Sequence, residues 1–228
     1  MSQLPLSLVL PDNAEVKTFF VTRANELAFS WMQKWPDWPA PYQSVNIYGP
    51  KGCGKSHLAD IFASKLHGTK LLALSHFDRE QFTPFDGYIL DGVSNDDSWN
   101  EEALFHFMNY LAETGKSAFI TSQVALSQIA WRLPDLSSRF RALAAQQVAM
   151  PDDELLEALL DQYFMNRQCQ VAEPAMRYIL ARVERSYEAV AEIARAIDKA
   201  SLAEKKPVTT ALVRGLFQEM PEQWKPEQ

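Results

Sequence analysis

The chain has 228 residues, 47% of them hydrophobic, and carries a formal net charge of −7. This length fits one medium domain with a small appendage. The acidic charge argues against a nucleic-acid backbone as the main partner, because such partners are bound by clustered lysine and arginine. The two cysteines, Cys53 and Cys169, favour a reduced, cytoplasmic protein over a disulfide scaffold. We predict neither a signal peptide nor a membrane-spanning segment.

The N-terminal segment, residues 1–11, has an alternating apolar pattern. Leucine occupies every second position, at Leu4, Leu6, Leu8 and Leu10. Pro5 disfavours a helix, so we expect an extended conformation. Two interpretations are open from the residues alone. One is an edge strand that packs on the domain, and the other is a peptide whose Gln3 side chain and leucines bind a groove on another protein.

Residues 25–32 carry apolar side chains at helical spacing, which predicts a helix. The proline- and tryptophan-rich connector 35–41 ends this helix. We expect Trp35 and Trp38 of the connector to pack on the core.

The next segment matches G-x-x-x-x-G-K-S/T, the phosphate loop of nucleotide-binding proteins. It consists of Gly49, Pro50, Lys51, Gly52, Cys53, Gly54, Lys55 and Ser56. A strand-like segment precedes it and a helical pattern follows, which favours a nucleotide site over a glycine-rich turn that matches by chance. Backbone N–H groups and the helix N-terminus would bind phosphate. We expect Lys55 to bind the β and γ phosphates and Ser56 to bind Mg²⁺.

Three further strands are predicted, over residues 69–74, 85–91 and 116–122. Asp91 ends the second of these, and ligands lie beyond the carboxyl ends of parallel strands. We therefore expect Asp91 to bind Mg²⁺, through water.

Gly92 follows this aspartate, at a position where ATP-hydrolysing proteins of this kind often carry an acid. Four nearby carboxylates are candidate substitutes: Asp96, Asp97, Glu101 and Glu102. They are better explained as the acidic first turn of a helix over 99–113. The case for intrinsic hydrolysis is correspondingly weak.

Polar residues at the end of the fourth strand have two interpretations. Thr121 or Ser122 reaches the γ-phosphate or the attacking water, or the pair simply caps the strand.

Arg139, farther along the chain, is either a finger that stabilises charge on a neighbouring subunit's nucleotide or a surface ion pair. From the residues alone, we favour the ion pair.

From Pro151 onward the sequence predicts helices only. Residues 152–154 form an acidic helix start, Pro174 opens a second helix, Ser186 caps a third, and residues 207–210 introduce a fourth. The predicted fold class is thus α/β, a parallel sheet with helices on both faces, followed by a small all-helical domain. We place the boundaries at 1–11 for the extended peptide, 12–150 for the nucleotide-binding domain, 151–220 for the helical domain and 221–228 for a tail.

Taken together, these segments resemble the DnaA/Hda group of AAA+ proteins over nearly the whole chain. Residues 19–25 are similar to the segment that lines the adenine pocket, which implies nucleotide contacts by Val21 and Asn25. The phosphate loop is similar through His57. The segment 133–140 is similar to the arginine-finger segment, which implies that Arg139 acts on a neighbouring molecule.

The resemblance is strongest to the Hda family of DnaA inactivators, which lack the initiator's DNA-binding domain. Members begin with a peptide Gln-Leu-x-Leu-x-Leu that binds the DNA polymerase sliding clamp. The same peptide here implies a clamp-binding role for Gln3, Leu4, Leu6 and Leu8. The connector at residues 34–39 is similar to alphaproteobacterial versions.

Three positions depart from the family pattern, and all three weaken hydrolysis of the protein's own nucleotide. They are Gly92 after the metal aspartate, Gln123 where the initiators carry aspartate, and Glu188 where the lid carries an arginine. Arg185, one turn earlier, is a candidate replacement for that arginine.

The resemblance implies a replication regulator that binds ADP or ATP with Mg²⁺ and promotes hydrolysis of DnaA-bound ATP, without sequence-specific DNA contacts. Two alternatives stay open, a self-sufficient loader-like AAA+ ATPase and a non-enzymatic adaptor that recruits DnaA or another replication protein. Homo-oligomerisation is also left open.

Overall fold

The computed structural model describes residues 19–66, 68–204 and 207–219. Its described residues divide into two compact units. Residues 25–149 form an α/β unit, and residues 19–24 join residues 150–219 in a helical unit. The predicted clamp-binding peptide and the predicted tail lie outside the described residues.

The α/β unit is built on a parallel sheet of five strands in the order β2-β3-β4-β1-β5. The strands are β1 (Val45–Tyr48), β2 (Gly68–Leu71), β3 (Gly87–Leu90), β4 (Ser117–Ser122) and β5 (Ala144–Gln147). All residues of β3 and β4 are buried, as expected for strands inside a parallel sheet. The parallel order places the carboxyl ends of β1, β3 and β4 at one edge of the sheet, where the polar site residues follow.

Among the described residues of this unit, one α-helix precedes β1 and four connect the strands, together with a 3₁₀ turn at Leu126–Gln128. The helices are α1 (Glu26–Gln33), α2 (Lys55–Ala63), α3 (Arg79–Phe82), α4 (Glu101–Thr114) and α5 (Pro134–Arg141). α4 begins because the Asn100 side chain accepts a hydrogen bond of 3.0 Å from the Ala103 N–H, a standard helix cap. It buries one face in the main core of the unit.

The tryptophan connector packs on the core, as predicted. The Trp38 side chain is buried, its indole N–H donates to the Trp31 carbonyl at 2.7 Å, and its ring centroid lies 5.2 Å from that of Phe62. The Trp35 ring meets Phe62 edge-on at 5.9 Å. Such aromatic contacts add stability beyond that of the buried apolar area alone. The connector therefore holds the chain segment before β1 against the core.

The helical unit contains four helices among its described residues. They are α6 (Asp153–Asn166), α7 (Glu173–Leu180), α8 (Tyr187–Glu204) and α9 (Thr210–Glu219). Asp152 caps α6 through a bond of 2.9 Å from the Leu155 N–H, and Ser186 accepts one of 3.1 Å from the Ala189 N–H at the start of α8. The helices enclose their own apolar core. The predicted fold class, a parallel α/β unit followed by helices, is confirmed.

Within the described residues, no helix is long and apolar enough to cross a membrane.

Candidate nucleotide-binding site

The phosphate loop, residues 49–56, leaves the end of β1 and turns into α2. Gly54 immediately precedes α2 with φ of 94°. The Gly49 N–H donates to the Ser122 carbonyl at 3.2 Å, which joins the start of the loop to the end of β4. A Cβ added at Gly49 would lie 2.3 Å from the Val148 carbonyl oxygen. Only glycine therefore fits here, because the backbone beyond β5 approaches so closely.

The Lys55 side chain folds over the loop. Its ammonium group donates to the carbonyls of Gly49 and Pro50, each at 2.7 Å, and lies 3.6 Å from the Cys53 sulfur. The positive charge is thus concentrated where the loop amides and the start of α2 favour an anion. Burial raises the pKa of the Cys53 thiol, and the nearby Lys55 ammonium opposes that rise only in part.

Ser56 and Asp91 come together across the sheet edge. The Ser56 hydroxyl donates to Oδ1 of Asp91 at 3.0 Å, and the Thr121 hydroxyl donates to the same oxygen at 2.6 Å. Within the described residues, no cluster of three or more His, Cys, Asp or Glu side chains could hold a metal ion. The hydroxyl and carboxylate oxygens suit Mg²⁺, which keeps several waters and binds phosphate oxygens instead of requiring a full protein cage.

Two hydroxyl groups, those of Thr121 and Ser122, lie at the end of β4. Thr121 is buried, and its hydroxyl also accepts the Gly92 N–H at 2.8 Å. Ser122 is fully buried and donates to the Val124 carbonyl at 2.6 Å. Both hydroxyls therefore make bonds within the protein, in agreement with the capping interpretation, while Gln123 is exposed.

The acidic residues after Gly92 support local structure. Asp96 accepts bonds from Ser94 and Ser98, and these bonds lower the pKa of its carboxyl. Glu101 accepts the N–H groups of Arg132 and Leu133 at 3.1 and 2.8 Å. Because these two carboxylates hold a turn and a chain segment, they are poorly available to activate water. The helix begins at Glu101 instead of the predicted 99, but its first turn is acidic as expected.

Other predicted nucleotide contacts lie in both units. His57 is half-buried in the first turn of α2, and Asn25 is buried and immediately precedes α1. Val21 is half-buried in the short segment that joins the helical unit. Their contacts with the nucleotide stay a prediction.

Arg139 lies in the last turn of α5, half-buried against α4. Its Nε donates to the Asn109 amide oxygen at 2.8 Å, and its Nη2 donates to the same atom. Nη1 donates to the Asp135 carbonyl at 3.3 Å, and the guanidinium carbon lies 4.2 Å from the Phe105 ring centroid. No described residue pairs with Arg139 as a salt bridge, so the favoured ion-pair interpretation finds no partner here.

Arg185 is paired inside the helical unit. Its guanidinium donates to Asp153 at 2.7 Å and to the Pro151 carbonyl at 3.3 Å. Glu188 is exposed in the first turn of α8. Arg185 therefore anchors the start of α6 in this structure, and its availability as a replacement for the missing lid arginine is reduced.

Sequence reasoning missed Asn46, a polar residue within buried β1. Its amide donates to the Ile120 carbonyl at 3.2 Å and to the Ser122 hydroxyl at 2.9 Å, and its oxygen accepts the Leu126 N–H at 3.0 Å. Asn46 thereby links the strand before the phosphate loop to the end of β4. An asparagine inside an apolar strand was the available signal, because a buried amide needs partners. The contacts of Asn109 and Phe105 with Arg139 were also missed.

A phosphate loop on a parallel sheet, with a helical unit after it, is the arrangement found in the AAA+ fold. The structure aligns with domain III of the Thermotoga maritima replication initiation protein DnaA, with a TM-score of 0.72 at 18% identity over 88% of this chain and 94% of that one. It also aligns with the replication initiator DnaA bound to AMPPCP and single-stranded DNA, with a TM-score of 0.65 at 18% identity over 88% and 67% of the two chains. These likenesses describe the fold.

The helical unit narrows the assignment, because residues 152–217 match the family "Hda, lid domain". A Haemophilus influenzae relative, itself called only an uncharacterized protein, is 25% identical over 231 residues, which cover 94% of this chain and 98% of the relative. The helical unit is therefore similar to the Hda lid domain, and the fold is that of the DnaA AAA+ domain. The alphaproteobacterial type receives no support and stays a prediction.

Proposed function

We propose that this protein regulates DNA replication initiation by promoting hydrolysis of DnaA-bound ATP, with Arg139 as the arginine finger. The observation that carries this proposal is the match of residues 152–217 to the Hda lid domain. The DnaA-like α/β unit supports it, since a regulator of DnaA would use the same kind of surface to assemble with its target.

The protein's own site takes an adenine nucleotide, ADP or ATP, with Mg²⁺. The phosphate loop and Lys55 bind the phosphates, while Ser56 and Asp91 hold the ion, which offsets the phosphate charge. Val21, Asn25 and His57 are the proposed remaining contacts with the nucleotide. A DnaA structure that contains AMPPCP supports this choice of ligand class.

We further propose that the protein hydrolyses its own bound ATP only weakly. Gly92 provides no carboxylate, and Asp96 and Glu101 are engaged in local bonds. The bound nucleotide therefore acts as a structural ligand, and the transition-state charge that the protein stabilises belongs to a neighbouring molecule. Arginine fingers supplied by a second protein act by this means.

The N-terminal peptide provides the location of the reaction. We propose that Gln3, Leu4, Leu6 and Leu8 bind the sliding clamp, which recruits the protein to replicating DNA. The apolar alternation and the early glutamine support a groove-binding peptide.

The finger is tested with ATP-loaded DnaA and DNA-loaded clamp, by measuring hydrolysis with wild-type protein and Arg139→Ala. Arg141→Ala is the matched control, because Arg141 is an exposed arginine of the same helix turn. We expect Arg139→Ala to reduce stimulated hydrolysis by about 10³-fold and Arg141→Ala to retain it. Stimulation by Arg139→Ala at the wild-type level would disprove the finger assignment.

Clamp recruitment is tested separately by surface plasmon resonance on immobilised clamp. The double variant Leu6→Ala/Leu8→Ala should lose binding, and Leu10→Ala, which lies beyond the matched peptide, should retain it. Wild-type binding by the double variant would return the N-terminal segment to the edge-strand interpretation.

A second candidate function is a self-sufficient ATPase. The observation in its favour is the arrangement of Ser56, Thr121 and Asp91, whose hydroxyls and carboxylate converge as a metal–nucleotide site requires. Steady-state ATP turnover by the isolated protein, abolished in Lys55→Ala, would support this candidate over the regulator. No turnover, together with copurified ADP, would support the regulator.

A further inference from the structure

Two arginines of the helical unit contact one tyrosine ring. The guanidinium carbon of Arg182 lies 3.8 Å from the centroid of the Tyr178 ring, and that of Arg214 lies 5.7 Å from the same centroid. The Phe217 ring meets Tyr178 edge-on, with the two ring centroids 6.0 Å apart. Both arginines are exposed, while both aromatic side chains are half-buried. We call these four residues the lid patch.

The two arginines of the lid patch pair with no carboxylate among the residues that the structure describes. Arg182 donates a hydrogen bond of 3.4 Å to the Tyr178 carbonyl, and the recorded contact of Arg214 is with the tyrosine ring. Four other arginines, by contrast, form salt bridges: Arg79, Arg167, Arg177 and Arg185. The lid patch therefore keeps two positive charges beside one ring without a neutralising partner in the described part of the chain.

The sequence around the lid patch also lacks acidic residues. No Asp or Glu occurs over residues 174–183, which include Arg182, or over residues 205–218, which include Arg214. The second of these stretches begins with two lysines. The whole chain carries a net charge of −7, so the local excess of positive charge runs against the overall balance. Such a local cluster of basic side chains indicates a polyanionic partner.

The chemistry of the lid patch suits phosphate oxygens. A guanidinium carries five N–H donors in a planar fork that matches phosphate geometry, and one of those of Arg182 is used on the Tyr178 carbonyl. Contact with the ring restricts both arginine side chains, so less rotamer freedom is lost when a ligand binds. The Tyr178 ring is already engaged by the arginines and Phe217, which disfavours stacking on a base. These features favour contact with a sugar–phosphate backbone over recognition of bases.

We propose that the lid patch binds the phosphate backbone of duplex DNA, without sequence preference, through Arg182 and Arg214. The choice of DNA over another polyanion rests on the proposed function, because a protein recruited by the sliding clamp acts beside DNA. Two phosphate contacts bind weakly by themselves, and the acidic net charge opposes them. Attachment to the clamp raises the effective concentration of DNA at the lid patch, so that two weak contacts together hold the protein.

The direct test is fluorescence anisotropy of a short labelled duplex, titrated with the full-length protein in the absence of clamp and DnaA. At low salt we expect a dissociation constant of about 10⁻⁴ to 10⁻⁶ M, the usual range for non-specific binding. With two phosphates contacted, the logarithm of the binding constant should fall against the logarithm of the salt concentration with a slope of about −1.8. Absence of binding at low salt would overturn the inference.

The arginines are tested one at a time and together. Arg182→Gln and Arg214→Gln should each reduce the magnitude of the salt slope by about 1, and the double variant should weaken binding at low salt by at least about 10-fold. Arg177→Gln is the matched control, because it changes the net charge equally but removes an arginine that pairs with Glu173. It should retain the wild-type slope. Equal slopes for the wild type and the double variant would overturn the assignment to the lid patch.

Competition experiments identify the class of polyanion. Unlabelled duplex should displace the labelled duplex more effectively than a polyglutamate peptide at the same concentration of charge. Equal displacement by the peptide would assign the lid patch to an acidic protein and overturn the choice of DNA. Single-stranded DNA should bind no more tightly than the duplex, and tighter binding would overturn the backbone assignment because it would indicate stacking on bases.

A second measurement separates this inference from the proposed function. On immobilised clamp, the double variant Arg182→Gln/Arg214→Gln should bind like the wild type when the clamp is free and less tightly when the clamp is loaded on DNA. Leu6→Ala/Leu8→Ala should keep the wild-type anisotropy result, because its lid patch is intact. If Leu6→Ala/Leu8→Ala still binds the clamp, clamp recruitment by the N-terminal peptide is wrong and DNA binding by the lid patch stands. If the double arginine variant keeps full DNA binding, this inference is wrong and the proposed function stands.

Discussion

The Thr121 hydroxyl donates a hydrogen bond of 2.6 Å to Oδ1 of Asp91. The same hydroxyl accepts the Gly92 N–H, so its proton and an accepting lone pair are both used within the protein. Thr121 therefore orients the carboxylate that would bind the metal, and it does so from the neighbouring strand. This is a supporting role of the kind that tunes many metal sites.

We predict that Thr121→Val lowers the affinity for Mg²⁺–nucleotide by about 10-fold. Valine has nearly the same shape but cannot donate to Asp91, so the carboxylate loses its orientation. Calorimetric titration with ADP, with and without Mg²⁺, measures the effect, which should be confined to the Mg²⁺ condition. Thr83→Val is the control, because Thr83 is an exposed threonine just after α3 whose hydroxyl donates to the Arg79 carbonyl. An unchanged Mg²⁺ dependence in Thr121→Val would contradict the prediction.

Gly49→Ala should destabilise the protein by about 1–3 kcal/mol, the usual range for overpacking. The new methyl group would lie 2.3 Å from the backbone oxygen of Val148, and backbone cannot yield as a flexible side chain does. Gly215→Ala is the matched control. It adds a methyl into open space within α9, where alanine should stabilise the helix by about 1 kcal/mol. Urea denaturation measures the change in the free energy of unfolding for both variants. Equal changes would show that position 49 does not lie so close to the Val148 backbone.

Cys53 should react slowly with iodoacetamide at neutral pH, because it is buried and its pKa is raised, so that little thiolate forms. Half-buried Cys169 provides the internal comparison by mass spectrometry. While the thiol is protonated in both the folded and the unfolded state, its raised pKa leaves stability independent of pH. Stability should fall as pH rises above roughly 8.5, the ordinary thiol pKa, because the unfolded chain ionises first. Rapid alkylation of Cys53 in native protein would contradict this expectation.

Arg185→Ala should change nucleotide affinity by less than about 2-fold and lower stability by less than about 1 kcal/mol. Both members of the Arg185–Asp153 pair are substantially exposed, at 49% and 66%, and exposed pairs contribute little. Fluorescent-nucleotide titration and thermal unfolding provide the two measurements, with Arg177→Ala, from another exposed pair, as the control. A large loss of affinity specific to Arg185→Ala would instead indicate that this arginine leaves Asp153 and serves the nucleotide.

Much of the fold was predictable because its signals are local. Apolar strands, the phosphate loop and the capping residues Asp152 and Ser186 act over a few positions, and each occurs near its predicted place. The strand ends are less exact, since β2 was predicted over 69–74 and ends at Leu71. β5 was missed because its residues, Ala-Ala-Gln-Gln, have little strand propensity, so pairing with β1 determines its conformation. The four-residue helix α3 is too short to show a periodic pattern.

Residues of the candidate site were predictable only where they belong to a recognisable sequence motif. Ser56 and Asp91 lie 35 positions apart in sequence, and their pairing followed from the parallel-sheet rule. Asn109 and Phe105 carry no motif, because their contact with Arg139 depends on how α4 and α5 pack. That packing is a tertiary property, and no periodicity within either helix encodes it.

Gly92 adopts φ of +84°, a left-handed conformation that costs other residues about 1–2 kcal/mol. Its N–H is bound to Thr121 in that conformation. A glutamate introduced here would therefore have to tolerate the strain or rotate the peptide and break that bond. An acidic side chain at position 92 would therefore begin with this conformational penalty, and it would keep the bond to Thr121 only in the left-handed conformation.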